Sequence, residues 1–172
     1  MANFNRREKL KNTLINSREP IKGQELAKLY NVTRQVIVRD IAILRAEGVD
    51  IISTPKGYVV LNEEVNNIRR LIAVNHTRED MEEELTIIIK YGGIVEDVIV
   101  EHPVYGEIRG MLMLKNMYDL ETFCDNIKNY LAEPLSTLTN GIHLHTVVCE
   151  CEDNFKKILQ ELDNKGYLIK EV

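Results

Sequence analysis

The sequence has no tryptophan, no long apolar stretch and only three cysteines. No segment approaches the roughly 18 uninterrupted apolar residues that a membrane-spanning helix needs, and the first residues lack the apolar core of a secretory signal. Cys149 and Cys151 are too close in sequence for an ordinary disulfide, and with Cys124 the count is odd. These absences exclude membrane proteins and disulfide-stabilised secreted proteins, and they predict a soluble chain in the reducing cytoplasm.

The charges divide the chain into two regions of opposite sign. Residues 1–62 carry 11 basic and 6 acidic side chains, a net charge of +5, while the remaining residues carry a net charge of −10. A compact basic segment is the electrostatic footprint of phosphate contact, and an acidic body repels nucleic acid. Ordinary solvated surfaces also show such asymmetry, so the motifs have to decide between the two interpretations.

The basic region is predicted to contain three helices and a hairpin. Apolar spacing and turn signals place helices at residues 6–17, 24–30 and 34–47, and strands at residues 51–54 and 58–61. Thr33 is expected to cap the third helix, and Gly48 is expected to end it. This order is that of a winged helix-turn-helix, with Pro55-Lys56-Gly57 at the tip of the wing.

The third helix has the pattern of a DNA recognition helix. Ile37, Ile41 and Leu44 share one face and are expected to be buried, which turns the polar residues of the first turns outward. Base edges, a thymine methyl group and phosphates are the groups that these outward side chains suit. The predicted DNA-binding residues are Thr33, Arg34, Gln35, Val38, Arg39 and Lys56. The alternative is a helical bundle with ordinary surface charges.

Beyond a polar linker at residues 61–67, strands and helices alternate. We predict strands at residues 70–76, 94–102, 106–114, 142–151 and 167–171, and helices at residues 78–91, 119–131 and 153–165, the first capped by Thr77. The order is βαββαβ with an added αβ, which predicts a two-layer α/β sandwich whose sheet is antiparallel or mixed. The whole chain is therefore an α+β protein, with a DNA-binding domain at 1–62 and a second domain at 68–172.

The second domain holds all four histidines of the chain. His143 and His145 are two residues apart on a predicted strand, so both imidazoles point to one face and can converge on one ion. His76 ends the first predicted strand, and Glu84 lies beside the buried stripe of the next helix. Three imidazoles and a carboxylate suit Zn, Ni, Fe or Co. Each histidine on its own could equally be a hydrogen-bonded, partly buried side chain.

Other polar residues near these histidines are weaker candidates for metal ligands. Glu82 and Glu83 are expected on a solvated helix face. His102 precedes Pro103 between two strands and is expected to shape that hairpin or, with Tyr105, to line an effector pocket. Cys149 and Cys151 continue the strand face of His143, but at about 3.3 Å per residue they lie too far along the strand, and we expect packed thiols.

Two motif sets resemble known families. Val-Thr-Arg-Gln-x-x-x-Arg-Asp-Ile at residues 32–41 resembles the HTH-11 type of winged helix-turn-helix. His76 with Glu84 eight residues on, Glu101-His102-Pro103-Val104-Tyr105-Gly106, and Gly141-Ile142-His143-Leu144-His145 resemble the three-histidine (3H) domain. An HTH-11 head joined to a 3H domain is similar to the niacin-responsive transcriptional repressors, and this resemblance spans nearly the whole chain.

The resemblance implies a specific function. It implies that His76, Glu84, His143 and His145 hold a divalent metal such as Ni, Zn or Fe, that nicotinic acid or a relative is the co-repressor, and that the DNA targets are operators of NAD biosynthesis or niacin uptake genes. It also implies a sensor domain with a topology like that of the histidine phosphocarrier protein. We further expect a homodimer, whose two recognition helices reach major grooves about 34 Å apart or a multiple of this distance.

Three alternatives compete with a metal-dependent repressor. A metal hydrolase with an autoregulatory DNA-binding domain would use the three histidines to activate water, but we find no convincing general base beside them and no nucleophile motif. Phosphoryl transfer through His102 would need a helix N-terminus to hold the phosphate, and none evidently follows. A constitutive DNA-binding protein with a structural metal differs from a sensor in that removing the metal would unfold it.

Overall fold

The structure, a computed structural model, describes residues 2–17, 19–60 and 67–170. It divides into two compact units, Met1–Glu63 and Glu64–Val172. The predicted linker, residues 61–67, lies outside the described residues except for Asn67. Within the described part of the chain, no helix combines the length and the apolar character needed to cross a membrane.

The first unit is a winged helix-turn-helix. Its elements in chain order are α1 (Ala2–Ile15), α2 (Gly23–Leu29), α3 (Arg34–Ala46), β1 (Ile51–Thr54) and β2 (Gly57–Val60). The two strands form an antiparallel hairpin in which Ile51 lies opposite Val60. The core consists of Leu10, Leu14, Leu26, Ala27, Ile37, Ile41, Leu44 and Ile51. The predicted inward face of α3, formed by Ile37, Ile41 and Leu44, is thus confirmed.

The boundaries of α3 follow from local chemistry. The Thr33 hydroxyl accepts a hydrogen bond from the Val36 amide, which satisfies one of the orphan donors at the helix N-terminus. After the last turn, Gly48 adopts a φ of +88°, a conformation that residues with a side chain rarely take. Both predicted boundary signals are therefore confirmed, although the helix ends at Ala46, one residue earlier than predicted.

The second unit is a four-stranded sheet with helices. Its elements are β3 (Ile68–Asn75), α4 (Met81–Lys90), β4 (Ile94–His102), β5 (Gly106–Leu114), α5 (Met117–Asn129), a 3₁₀-helix (Leu135–Thr139), β6 (Ile142–Cys149) and α6 (Glu152–Asn164). The strand order in the sheet is β3-β6-β4-β5, and all its pairings are antiparallel. The predicted α+β class is confirmed, and the sheet is antiparallel rather than mixed.

One core joins the sheet to the helices. Apolar residues from every strand and from α4, α5 and α6 belong to a single buried cluster, which includes Ile72, Val74, Leu85, Ile88, Val95, Leu112, Leu120, Val147, Phe155 and Ile158. Alternate strand residues therefore face the helices, as the period of two in a strand requires. On β6 this alternation buries His143 and His145 on the same side as Val147 and Cys149.

The start of α4 differs from the prediction. Thr77 is predicted to cap a helix from residue 78, but the helix begins three residues later, and the Thr77 hydroxyl donates to the Asp80 carboxylate at 2.7 Å. Residues 78–80 form a turn, and the helix begins at Met81 with Asp80 at the N-cap position.

The end of the chain also differs. The predicted strand at residues 167–171 is reduced to a single bridge between Leu168 and Val74, and Glu171 lies outside the described residues. The strand β6 ends at Cys149, two residues early, because Cys151 takes the N-cap position of α6. Cys151 is exposed, so its prediction as a packed thiol is wrong, while Cys149 is buried as expected. The 3₁₀-helix Leu135–Thr139 was not predicted.

Candidate functional site

Three elements bring four polar side chains together inside the second unit. His143 and His145 come from β6, His76 follows the end of the neighbouring strand β3, and Glu84 lies on α4. All four residues are buried, with relative exposures between 0 and 7%. The structure thus places the four residues predicted as metal ligands in one buried cluster, here called the His-Glu cluster.

A glycine allows this close approach. Gly141 precedes β6 and has a φ of +97°. A Cβ atom at this position would lie 2.4 Å from the carbonyl oxygen of His76, far inside the contact limit. Only glycine fits, because both the positive φ and the missing side chain are needed. The segment before β6 can therefore pass directly over His76.

The donor atoms of the His-Glu cluster converge on a small volume. The Nε2 atoms of His143 and His145 are 3.2 Å apart, and the Glu84 Oε2 atom lies 3.5 Å from His145 Nε2 and 3.8 Å from His76 Nε2. The ligand atoms of His76, Glu84 and His143 all lie within 4.8 Å of one another. Tetrahedral ligands at about 2.0–2.1 Å from a metal are about 3.3 Å apart, so the spacing approaches that of a coordination shell.

The other ring nitrogen of each histidine contacts a backbone carbonyl. The Nδ1 atoms of His76, His143 and His145 contact the carbonyl oxygens of Thr77 (2.7 Å), Gly141 (2.8 Å) and Asp97 (2.5 Å), respectively. Because a carbonyl can only accept, each Nδ1 carries a proton and donates it. The neutral imidazoles are thereby fixed in the tautomer whose Nε2 lone pair points to the centre of the cluster, as metal-ligating histidines require.

Several polar atoms of the cluster have no hydrogen-bond partner. Among the described residues, His76 Nε2 and both carboxylate oxygens of Glu84 are buried and unsatisfied. Leaving such groups unpaired in a protein interior costs about 1–3 kcal/mol each, and more for a charged group. A cation in the centre would satisfy all three atoms at once. Three imidazole nitrogens and a carboxylate are a donor set that fits a divalent transition metal.

The pKa values of the cluster residues are set by burial and by the charges of the other residues in the cluster. Burial, and next the charge of His145, lower the pKa of His143 to about 4. Burial also acts to lower the pKa of His145, but the Glu84 carboxylate outweighs it, so this pKa lies above its usual range. Burial acts to raise the pKa of Glu84, and the neighbouring histidines reverse the shift, so its pKa is lowered. Glu84 is therefore an anion, and its charge favours a cation in the cluster.

A pocket of about 510 Å³ opens beside His76. Its walls come from the end of β3 and the turn after it, the segment before β6, and the residues that follow α6. The lining includes the polar and aromatic side chains of His76, Arg78, Asn140, Lys165 and Tyr167. The Tyr167 ring packs edge-on against His76 with centroids 5.5 Å apart. The pocket thus reaches the His-Glu cluster through the His76 ring.

His102 and Tyr105 lie at the hairpin between β4 and β5. The His102 Nδ1 atom accepts hydrogen bonds from the amides of Val104 and Tyr105, at 3.2 and 3.3 Å, so His102 shapes this turn. Tyr105 is 77% exposed, and neither residue lines the pocket beside His76. The structure gives His102 the turn-shaping role, and the assignment of both residues to an effector pocket stays a prediction.

The residues predicted to bind DNA lie at the N-terminal half of α3 and in the wing. Arg34, Gln35, Val38 and Arg39 are exposed, while Ile37 and Ile41 on the opposite side are buried. Thr33 caps the helix, and Lys56 is half-buried in the turn between β1 and β2. Asp40, on the buried side, is paired with Arg6 at 2.7 Å. This pair fixes α1 against α3 and leaves the outer face of α3 accessible.

Sequence reasoning missed two parts of the site. Asp97 supplies the carbonyl that holds His145, yet in the sequence it is an ordinary acidic residue of a strand. Lys165 and Tyr167 line the pocket, although they follow the last helix of the chain. The sequence does contain a signal for the position of Tyr167. This aromatic residue follows Gly166, which ends the helix and reverses the chain direction at a φ of +76°.

Comparisons with known proteins agree with the two-unit architecture. The HTH domain family matches residues 6–59, and the 3H domain family matches residues 69–171. A protein of Thermotoga maritima named "Probable transcription repressor NiaR" is 44% identical over 169 residues, which cover 96% of each chain. The "Transcription repressor NadR" of Bacillus subtilis is 41% identical over 170 residues, which cover 97% of this chain and 94% of the relative.

Proposed function

The chain belongs to the NiaR/NadR family of transcription repressors, in which an HTH domain precedes a 3H domain, and from this premise we propose that it is itself a metal-dependent, ligand-controlled repressor. The first unit binds operator DNA, and the second unit binds a divalent metal and a small pyridine carboxylate. The single observation that carries the sensor part is the buried His-Glu cluster with its unsatisfied atoms. The names of the relatives favour a regulator over the competing hydrolase.

The proposed DNA contact is insertion of α3 into the major groove. Arg34 and Gln35 lie on the first turn of α3 and are exposed, and this is the end that a recognition helix presents to base edges. Arginine and glutamine pair in bidentate fashion with guanine and adenine, and Val38 suits a thymine methyl group. Arg39 and Lys56 then contact phosphates, which contribute affinity without sequence information.

The proposed metal ligands are His76, Glu84, His143 and His145. A Ni, Zn or Fe ion held there would supply a positive, Lewis-acidic centre to which a carboxylate or a pyridine nitrogen can bind. The protein contributes the fixed tautomers of the three imidazoles and the negative charge of Glu84. All four side chains are buried, which strengthens these electrostatic interactions.

We place the proposed effector, nicotinic acid or a close relative, in the pocket beside His76. Nicotinic acid is a flat, anionic ring at neutral pH. The pocket offers the cations Arg78 and Lys165 and the aromatic ring of Tyr167. Arg78 is paired with Glu133, and Lys165 with Glu83, so a carboxylate ligand would exchange one anionic partner for another. Neither His102 nor Tyr105 lines this pocket.

The proposed control acts through a homodimer in the cytoplasm, at operators of NAD biosynthesis or niacin uptake genes. Ligand binding can shift the equilibrium between two dimer geometries only by its difference in affinity for them. The favoured geometry would separate two recognition helices by about 34 Å or a multiple of this distance. The pocket suits this role because three separate segments form its walls, so that a ligand can change their spacing.

Titration of an operator duplex with the full-length chain tests the proposal. We expect tighter binding with nicotinate than without it, and no response after the metal is removed by a chelator. Arg78→Ala should weaken the nicotinate response by roughly fivefold, since a half-exposed ion pair contributes about 1 kcal/mol. Tyr105→Ala is the matched variant at the predicted alternative site and should leave the response unchanged. Equal DNA affinity with and without nicotinate would refute the co-repressor role.

A further inference from the structure

The strand β4 carries a bulge next to the His-Glu cluster. Val95 lies opposite Val147 on β6, and Ile99 lies opposite Leu144, so three residues of β4 face two residues of β6. The extra residue interrupts the regular ladder at residues 96–98. At this interruption the carbonyl group of Asp97 contacts the Nδ1 atom of His145 at 2.5 Å. The bulge therefore directs a backbone acceptor into the site.

The side chain of Asp97 is anchored at the same bulge. It is fully buried, and its Oδ1 atom accepts a hydrogen bond from the Thr146 amide at 2.9 Å. Its Oδ2 atom accepts from the Thr146 hydroxyl and from the Arg109 guanidinium, each at 3.0 Å. These bonds tie Asp97 to the residue that follows His145 and to the neighbouring strand β5. Hydrogen bonds to a charged group are stronger than those between neutral groups.

The three histidines differ in how their carbonyl partners are held. His76 contacts the carbonyl of the next residue, and His143 contacts that of Gly141, two residues earlier, so the local chain fixes both. His145 contacts a carbonyl 48 residues away in sequence, on another strand. Its orientation therefore depends on tertiary contacts that hold the bulge in place.

We infer that Asp97 is a positioning residue of the metal centre: its side chain, held by Thr146 and Arg109, sets the backbone carbonyl that orients His145. This inference rests on the proposed metal site. Losing such an outer contact of a metal-ligating histidine typically weakens metal binding about 10- to 100-fold. Asp97 would act without touching the ion, since its carboxylate is engaged by Thr146 and Arg109.

The test compares variants of the full chain by two measurements. Zn²⁺ affinity is measured by competition with a chromophoric chelator, and the visible spectrum of the Co²⁺-loaded chain reports the ligand geometry. For Asp97→Asn we expect an affinity loss of about 10- to 100-fold and an altered Co²⁺ spectrum. Thr146→Val removes one hydroxyl bond while keeping the shape, and we expect a loss of about fivefold. Thr146→Ser keeps the hydroxyl and should therefore bind Zn²⁺ with native affinity.

Glu96→Gln is the matched control. Glu96 is a buried acid in the same bulge, but its partner is Arg69 and it contacts no histidine. We expect native Zn²⁺ affinity and a native Co²⁺ spectrum for this variant, even where its unfolding temperature falls. If Asp97→Asn does not fold, the Zn²⁺ affinities and Co²⁺ spectra of Thr146→Val and Thr146→Ser test the inference instead.

Two results would overturn the inference in different ways. Native affinity and spectrum in both Asp97→Asn and Thr146→Val would show that Asp97 only stabilises the sheet, while the metal site itself stands. Absence of Zn²⁺ and Co²⁺ binding by the native chain would refute the metal site and this inference together.

Discussion

In the unit Met1–Glu63 the buried carboxylate of Asp40 is paired with Arg6 at 2.7 Å, whereas in the unit Glu64–Val172 the buried carboxylate of Glu84 has no hydrogen-bond partner. The first unit therefore satisfies this buried charge from within its own chain. Within the described part of the second unit, three buried side-chain atoms are unsatisfied, and all of them belong to the His-Glu cluster. The proposed metal would satisfy the atoms of the His-Glu cluster, and the Asp40 carboxylate needs no such ion.

This difference separates the roles of the two units. The first unit presents its proposed DNA-contacting groups on an exposed helix face, so its interior should fold without a bound metal. The second unit buries its functional groups, so binding there is coupled to folding free energy. Conditions that change metal occupancy should therefore affect the two units unequally.

Metal removal should give the largest difference between the units. At a free metal concentration about 1,000 times Kd, binding stabilises the folded state by about 4 kcal/mol, which corresponds to a Tm change of roughly 15 °C or more. Calorimetry with and without a chelator should show this fall for the second unit and none for the first. Glu84→Gln should abolish the chelator effect, and Glu82→Gln, an exposed acid on the same helix, should retain it. Equal Tm shifts in both units would contradict the comparison.

Breaking the buried ion pair of the first unit should give the next largest effect. Asp40→Asn replaces the carboxylate that pairs with the partly exposed Arg6, and loss of a hydrogen bond between charged groups costs about 1.5–3 kcal/mol. Urea unfolding should show this loss in the first unit with or without metal. The exposed acid Glu25 provides the control, since Glu25→Gln should cost less than about 0.5 kcal/mol. If the effect of Asp40→Asn depended on metal, the stability of the first unit would not be independent of the metal site.

Acid should act on the second unit through its histidines. The pKa of His143 is lowered from 6.5 in the unfolded chain to about 4, so its neutral form contributes stability that is full above pH 6.5 and is lost as the pH falls toward 4. The raised pKa of His145 has the opposite sign, since it adds stability below pH 6.5 that is lost as the pH rises through that raised value. In the metal-free chain the two contributions therefore oppose each other.

A bound metal removes this opposition, because both imidazoles must then be unprotonated. Between pH 7.5 and pH 5.5 we expect the metal-loaded second unit to lose about 1–3 kcal/mol, and the metal-free unit to change less. The first unit contains no histidine and should change little over the same range. Thermal unfolding at the two pH values, with and without metal, measures this. An unchanged Tm of the loaded second unit would count against histidine ligands.

Substitution on the recognition helix should have the smallest effect on the stability of the fold. It should lower the affinity for operator DNA more than the affinity for unrelated DNA. Arg34→Ala removes a proposed base contact, which is worth about 1–3 kcal/mol of binding free energy. Fluorescence anisotropy with an operator duplex and with an unrelated duplex should show the loss mainly for the operator. Lys157→Ala removes an exposed cation from α6 of the acidic unit and should leave DNA affinity unchanged. Identical losses for both duplexes would assign Arg34 to the phosphate backbone instead.

The sequence was sufficient wherever periodicity decides the structure. The faces of α3 followed from Ile37, Ile41 and Leu44, and the bounds of β4 and β5 were predicted correctly because alternating runs end at clear turn residues. The two-residue spacing of His143 and His145 placed both rings on the buried face of β6. In each case one repeat length, 3.6 or 2.0 residues, fixes the direction of the side chain.

The rest of the site depends on contacts that periodicity cannot encode. The bulge at Asp97 shifts the register by one residue, and only pairing with β6 reveals it. The start of α4 follows a turn in which the Thr77 hydroxyl donates to the Asp80 carboxylate, and helical periodicity carries no signal for this contact. Tyr167 reaches His76 because a short terminal segment returns to β3 through a single bridge, which is too brief to leave a strand pattern.

Native mass spectrometry of the freshly purified chain tests the central claim most directly. We predict a mass increment of one divalent transition metal ion per chain, and its absence in a variant in which His143 and His145 are both replaced by alanine. Addition of nicotinate should add one ligand mass to the native chain alone. A native chain that carries no metal, or a double variant that carries the same metal, would contradict the account.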